Sequence, residues 1–290
     1  MSVKDTFLAI LVVIIWGVNF PVIKVGLETM PPFLFAAVRF IIIAIPAVFF
    51  IPFPKTSIWN VLGVGLFLGI LKYCFLFFAM VSDSSAGLAS LILQSQVFFT
   101  IGLSIFIYKQ KISNIQITGI FIAVLGFSFF FISSGTNITT LGLTLILMAA
   151  FSWSIANLIM MSFKGVNLFH FIIWVCLIPP IPLLILSYFI ESKDPMAIVL
   201  STTVEGWFAL IYASHISMLL GFALWGWLLK SYSAAIVTPY ALLVPVVGII
   251  ASSIFLNERM SILEIIGAVL IMTGLLFSAL GKRLFKSYHV

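Results

Sequence analysis

From Ile112 through Phe163 the chain carries no Asp, Glu, Lys or Arg. A soluble fold needs a polar shell, and one bilayer span takes roughly 20 apolar residues, so this run reads as two spans and a turn. Composition extends the argument to the whole chain. Apolar residues make up 63% and charged residues 8%, where a soluble domain has roughly half and a quarter. The bilayer is therefore the main solvent. In hydrocarbon every backbone polar group must be satisfied internally, which leaves helices or a closed barrel. Barrel strands alternate polar and apolar residues, whereas these runs are solidly apolar. The expected class is all-α, a polytopic membrane protein.

Windows bounded by charges and turn residues place ten transmembrane helices near 6–27, 33–53, 58–81, 84–108 and 113–133, then 139–161, 167–190, 206–229, 233–256 and 262–281. The first apolar run, Phe7 to Ile23, is too long for a signal peptide and has no small-residue cleavage site after it, so an uncleaved helix is expected. Net charge is +6, but the cations are scattered between runs, which argues against nucleic acid as a partner. They follow membrane orientation instead. Lys4, Lys55, Lys109, Lys111, Lys164, Lys230, Lys282, Arg283 and Lys286 share one side, against Lys24, Lys193 and Arg259 on the other, which puts both termini in the cytoplasm. Cys74 and Cys176, each within an apolar run, are expected as free, buried thiols.

Sliding the chain on itself so that Lys111 falls on Arg259 also brings Ser113 onto Ser261, Gly119 onto Gly267 and Gly126 onto Gly274. A second register puts Trp16 on Trp153 and Asn19 beside Asn157. The expected domains are therefore two five-helix repeats, 1–135 and 136–290. Five crossings are an odd number, so the second repeat enters the membrane in the opposite sense, the inverted-repeat plan of secondary transporters.

Several segments carry a family resemblance. They are Trp16-Gly17-Val18-Asn19-Phe20, Pro31-Pro32 through Arg39-Phe40, Ala86-Gly87-Leu88-Ala89-Ser90, Pro245-Val246-Val247-Gly248, Asn257-Glu258-Arg259 and the run Gly267 to Gly274. Over essentially its whole length the chain resembles the drug/metabolite transporter superfamily in its EamA-type ten-helix branch. Val22 to Leu27 and Leu91 to Gln96 are similar to the O-acetylserine/cysteine exporters of enteric bacteria. The resemblance implies export of cysteine-pathway metabolites across a bacterial inner membrane. Two departures stand out: Tyr108-Lys109-Gln110-Lys111 where that branch usually has a Glu-Arg pair, and Lys72 where an uncharged residue is usual.

Trp16 with Asn19, and Trp153 with Asn157, are three and four residues apart and so share a helix face. Such repeat-related pairs either line a midplane cavity or serve as interhelical packing and hydrogen bonding. Pro21 should kink or break the first helix beside Asn19, and Pro239 with Pro245 should do the same to the ninth. Gln94, Gln96 and Tyr240 are polar groups in apolar helices, suited to a substrate's carboxylate or amine or equally to a neighbouring helix. Gln94 and Gln96 stand about 200° apart on an α-helix, so only one of them is expected to face inward. Arg39 either snorkels to an interface or meets an anionic substrate. Lys72 is the costliest residue in its surroundings, and His215 is a further titratable side chain at depth. Glu258-Arg259 reads as a loop ion pair or a gate hinge.

There is no phosphate-binding glycine loop, no His-Glu-x-x-His and no carboxylate pair within a span, so neither enzyme chemistry nor a metal or cofactor is called for. A secondary exporter of small amino-acid-like metabolites is the leading reading. A broad drug exporter is the alternative within the class, with intramembrane cations disfavouring cationic drugs. A non-transporting scaffold is the rival outside it. The partners implied are a small-molecule substrate and the lipid bilayer, with oligomeric state left open.

Overall fold

The computed structural model describes residues 1–82, 84–109, 112–132, 138–163, 165–232 and 234–287. Gln110, Lys111 and Lys164, used above for the loops and the repeat, lie outside them. The described chain is helical, apart from an isolated bridge between Ser84 and Ile138. In chain order the long helices are α1 (Val3–Thr29), α2 (Pro32–Val48), α3 (Ile58–Val81), α4 (Ala86–Tyr108), α5 (Asn114–Ile132), α6 (Thr140–Met161), α7 (Leu168–Glu191), α8 (Val204–Ser231), α9 (Pro239–Leu256) and α10 (Ile262–Ser287). A short helix, Pro195–Ser201, joins α7 to α8. Seven of the described helices are long and apolar enough to cross a bilayer, while Pro32–Val48, Asn114–Phe130 and Ile262–Ser278 are shorter apolar helices. This is a multi-pass membrane protein.

The helix starts follow local chemistry. A Ser, Thr or Asn oxygen takes one of the N–H groups that the first turn leaves unpaired. Ser85 accepts from Leu88 at 3.1 Å, Thr139 from Gly142 at 3.0 Å, and Asn167 from Phe169 and His170. Two starts match the proposed register. Ser113 and Gln116 exchange hydrogen bonds as a capping box at α5, and Ser261 and Glu264 do the same at α10. Two ends match it as well, since Lys109 and Asn257 close α4 and α9 in the left-handed conformation at φ 50° and 54°.

The extensive packing pairs are α5 with α10, α1 with α9 and α8, α4 with α9 and α6, α3 with α6, and α2 with α7. The α5–α10 contact is a glycine crossing. A Cβ on Gly119 would sit 2.7 Å from the Gly274 carbonyl, and one on Gly126 would sit 2.9 Å from that of Gly267. The order of these contacts makes the two helices antiparallel. Only a residue without a side chain permits backbones this close.

Pro21 does not break α1, which continues to Thr29; the helix is clamped by α8 and α9 along its length. The irregularities fall elsewhere. The turns widen to π-type over Gly65–Leu71 in α3, Ser187–Glu191 at the end of α7 and Tyr212–Leu220 in α8. They tighten to 3₁₀ over Leu93–Ser95 in α4 and Thr238–Leu243 at α9, the latter at Pro239 as expected. In α7 the helix is interrupted just before Pro180, where adjacent prolines remove N–H donors. Gly65 and Gly69 of α3 receive Ile178 and Pro179 of that interruption. Of the two free thiols, Cys176 is buried and Cys74 half-buried.

Candidate functional site

A cavity of about 470 Å³ lies inside the bundle. Eight helices reach it, and α5 and α10 contribute none of its described lining. Four of the five widened or tightened segments line it, the exception being Ser187–Glu191 at the end of α7. Leu68 and Gly69, Leu93 and Gln94, Ser217 and Met218, and Ala241 come from the widened or tightened segments of α3, α4, α8 and α9. At membrane depth, backbone out of α-helical register is tolerated only against protein or a wet interior, and here it borders the chamber.

Seven residues singled out from the sequence meet on this wall: Trp16, Asn19, Arg39, Lys72, Gln94, Trp153 and Asn157. Arg39 is 3% exposed, so it is buried in the wall and does not snorkel. Its Cζ lies 4.8 Å from the centre of the Tyr73 ring, and its Nε and Nη1 have no hydrogen-bond partner. Lys72, 7% exposed, places Nζ 3.7 Å from the same ring and 5.0 Å from the Trp153 ring. Aromatic faces attract cations without neutralising them. Among the described lining residues there is no Asp or Glu. The chamber is thus a desolvated cationic site whose donors are not all in use.

The polar residues divide. Asn157 Nδ2 donates to Gln96 Oε1 at 2.6 Å and to Thr100 Oγ1 at 3.2 Å, which ties α6 to α4. Trp16 Nε1 donates at 3.0 Å to the Ser217 carbonyl, and its ring packs against Phe222 and Trp225. Gln94 Nε2 reaches the Ala241 carbonyl at 3.5 Å. Asn19 Oδ1 is a buried acceptor with no donor.

Two expected residues do not line the chamber. In the widened stretch of α8 it is Ser217 and Met218 that point inward. His215 is turned out and exposed, with Nδ1 3.1 Å from Ser214 Oγ. Tyr240 packs with the small cluster around Ala9, Leu228 and Val237, because the tight turn presents Ala241 to the chamber instead. A third expectation is also corrected, since Gln94 and Gln96 both border the cavity. The 3₁₀ turn between them brings i and i+2 to about 120° apart by the shorter way, against about 160° on an α-helix.

Sequence reasoning missed Tyr73, Phe222 and Trp225. Tyr73 was hidden by following Lys72 directly, as consecutive helical residues point about 100° apart. Phe222 and Trp225 are three apart on one face, a spacing that was open to notice.

The comparisons with known proteins agree with this architecture. The EamA-like transporter family model matches residues 4–132 and again 140–280. Among curated relatives, the "Probable amino-acid metabolite efflux pump" of Escherichia coli (strain K12) is 40% identical over 297 residues, covering 100% of this chain and 99% of that protein. The protein of the same name from Salmonella typhimurium (strain LT2) is 39% identical, with the same coverage. A solved structure titled "Crystal structure of protein" superposes with a TM-score of 0.63 at 17% identity over 98% of this chain and 99% of its own. That likeness bears on fold alone. On the strength of the two family matches and the full-length relatives, this chain belongs to the EamA-like transporter family.

Proposed function

We propose that the protein is a secondary active exporter of small amino-acid-like metabolites, with cysteine and O-acetylserine as its substrates, working by alternating access from a bacterial inner membrane. The observation that carries this reading is the buried guanidinium of Arg39, with two unpartnered nitrogens, beside Lys72 in a chamber without described acidic lining. A carboxylate is the natural counterpart of such a fork, which it meets in a planar, bidentate way. Asn19 Oδ1 offers an acceptor to the amino group of the same solute. The names of the relatives, which speak of amino-acid metabolites, support the substrate class.

The proposed frame is ten membrane helices in two inverted five-helix repeats, the three shorter apolar helices crossing with the other seven. The matched capping boxes and left-handed helix ends support it. So does the glycine crossing, in which Gly119 meets the repeat mate of Gly126, and Gly126 meets that of Gly119. Contacts also mirror, α1 with α8 and α9 answering α6 with α3 and α4. Rocking of one half against the other would expose the chamber to each side in turn.

Counterflow in proteoliposomes with labelled cysteine, O-acetylserine, other amino acids and aromatic cations tests the reading. Accelerated uptake of the first two, with no response to cations, is expected. A response to cations alone would replace it with the broad drug exporter, and no response to any solute would favour the scaffold.

A further inference from the structure

All the described acidic residues except Asp5 fall at one end of the bundle, the end where α1 finishes at Thr29. Among the described residues they are Glu28, Glu191, Asp194, Glu205, Glu258 and Glu264. Two of them reach across from the second half of the chain to the first. Glu191, the last residue of α7, takes the N–H groups of Phe33 and Leu34 on its two carboxylate oxygens at 2.6 and 3.1 Å. Glu258, just past α9, takes those of Ala86 and Gly87 at 2.8 and 3.0 Å. Each therefore caps the start of the helix that is its own helix's mate in the repeat, α2 for α7 and α4 for α9. The caps are needed. Pro31 gives α2 no side-chain cap, and Ser85 serves only Leu88 in α4. A carboxylate at a helix start pairs its charge with unsatisfied N–H groups and with the positive end of the helix dipole.

At the same end Lys24 donates to the carbonyls of Met80 and Ser84, fixing the turn that Glu258 grips. The opposite end is also joined across the halves, by the Tyr232 hydroxyl donating to the Asp5 carboxylate, Trp174 Nε1 to the Ile51 carbonyl at 3.1 Å and the Tyr108 hydroxyl to the Leu158 carbonyl at 3.2 Å, but among the described residues no carboxylate there caps a helix start of the other half. The start of α7 is capped by its own Asn167, from within the same half. In the repeat register the mate of Glu258 is Gln110, an uncharged amide.

We infer that Glu191 and Glu258 are a pair of latches that hold the Thr29 end of the transporter shut. Opening that end pulls α7 from α2 and α9 from α4. Both carboxylates must then leave their N–H groups, whereas opening the other end leaves both latches in place. Replacing a carboxylate by an amide removes the charge and sets an N–H₂ against a backbone N–H, so each substitution weakens one latch. The inference rests on the alternating-access reading above for its meaning, but its labelling test does not need a transported solute.

The test places a reporter, Leu93→Cys, in the chamber of a Cys74→Ala/Cys176→Ala protein. Its labelling by a membrane-impermeant maleimide is then followed from each face, in intact cells and in inverted vesicles. Glu191→Gln and Glu258→Gln should each raise the rate from the Thr29 face roughly tenfold, and the double variant should raise it further, with slower labelling from the other face. Unchanged rates from the Thr29 face in folded single and double variants overturn the latches. Should the variants fail to fold, hydrogen exchange at the amides of Phe33, Leu34, Ala86 and Gly87 in the unaltered protein decides. Faster exchange during counterflow supports the inference, and protection indifferent to turnover refutes it. A protein that shifts its labelling yet moves no solute refutes the transport reading and keeps the latches.

Discussion

Arg39 and Lys72 are both cations on the Tyr73 ring, yet they are suited to different tasks. A guanidinium is a fixed charge in a planar fork, while an ammonium can give up its proton. Arg39→Lys should weaken solute binding about tenfold through loss of the fork, read as a raised half-saturation in counterflow. A Lys72 that releases and regains a proton in the cycle would make transport pH-dependent, so Lys72→Met, whose side chain fills similar volume, should keep the fold and abolish that dependence. Lys72→Arg should bind solute and likewise lose that dependence. If Lys72→Met keeps the parent's pH profile in proteoliposomes, Lys72 does not exchange the proton. The convergence of these two residues with Trp16, Asn19, Trp153 and Asn157 was open to reading because each is a polar or amphipathic exception in an apolar run, and exceptions in hydrocarbon need a reason. The placing of His215 and Tyr240 was not. A single π or 3₁₀ turn rotates every side chain around it, and no spacing of apolar or polar residues in these runs marks where such a turn falls.

Among the elements, the α5–α10 pair depends on backbone approach at Gly119, Gly126, Gly267 and Gly274. Gly119→Val would drive a branched side chain against the Gly274 carbonyl and the Ser278 hydroxyl, each 2.7 Å from the added Cβ. The expected loss is about 1–3 kcal/mol. Thermal unfolding in detergent should fall accordingly, while Gly102→Val, where no atom lies within 4 Å of an added Cβ, should leave it unchanged. These four glycines also gave the repeat register from sequence, because a crossing that admits only glycine fixes both partners at once. Most helix boundaries were legible to within a few residues for a similar reason, as charges and capping residues mark them, but α2 was expected to reach 53 and stops at Val48, and α10 was expected to stop at 281 and reaches Ser287. The unbroken course of α1 through Pro21 was not, because neighbouring helices can carry a helix past a missing hydrogen bond.

For the molecule as a whole, the distribution of Lys and Arg predicts both termini in the cytoplasm. Cysteine placed at Ser2 or Ser287 should resist an impermeant maleimide in intact cells and react once the membrane is opened. Labelling of either in intact cells would reverse the orientation and with it the side on which the Glu191 and Glu258 contacts lie. The chamber also has an electrical consequence. Its charged groups, among the described lining residues, are two cations that belong to the protein. Whatever part of the membrane field they cross in one half of the cycle they cross back in the other, so over a full turnover their contribution cancels. The membrane potential then acts only on the net charge of the solute and on any proton that Lys72 takes across. A monoanion leaving a cell with a negative interior would gain about 2.3 kcal/mol per 100 mV. A zwitterion would gain nothing from voltage and would leave only down its own gradient, or at the expense of a returning proton.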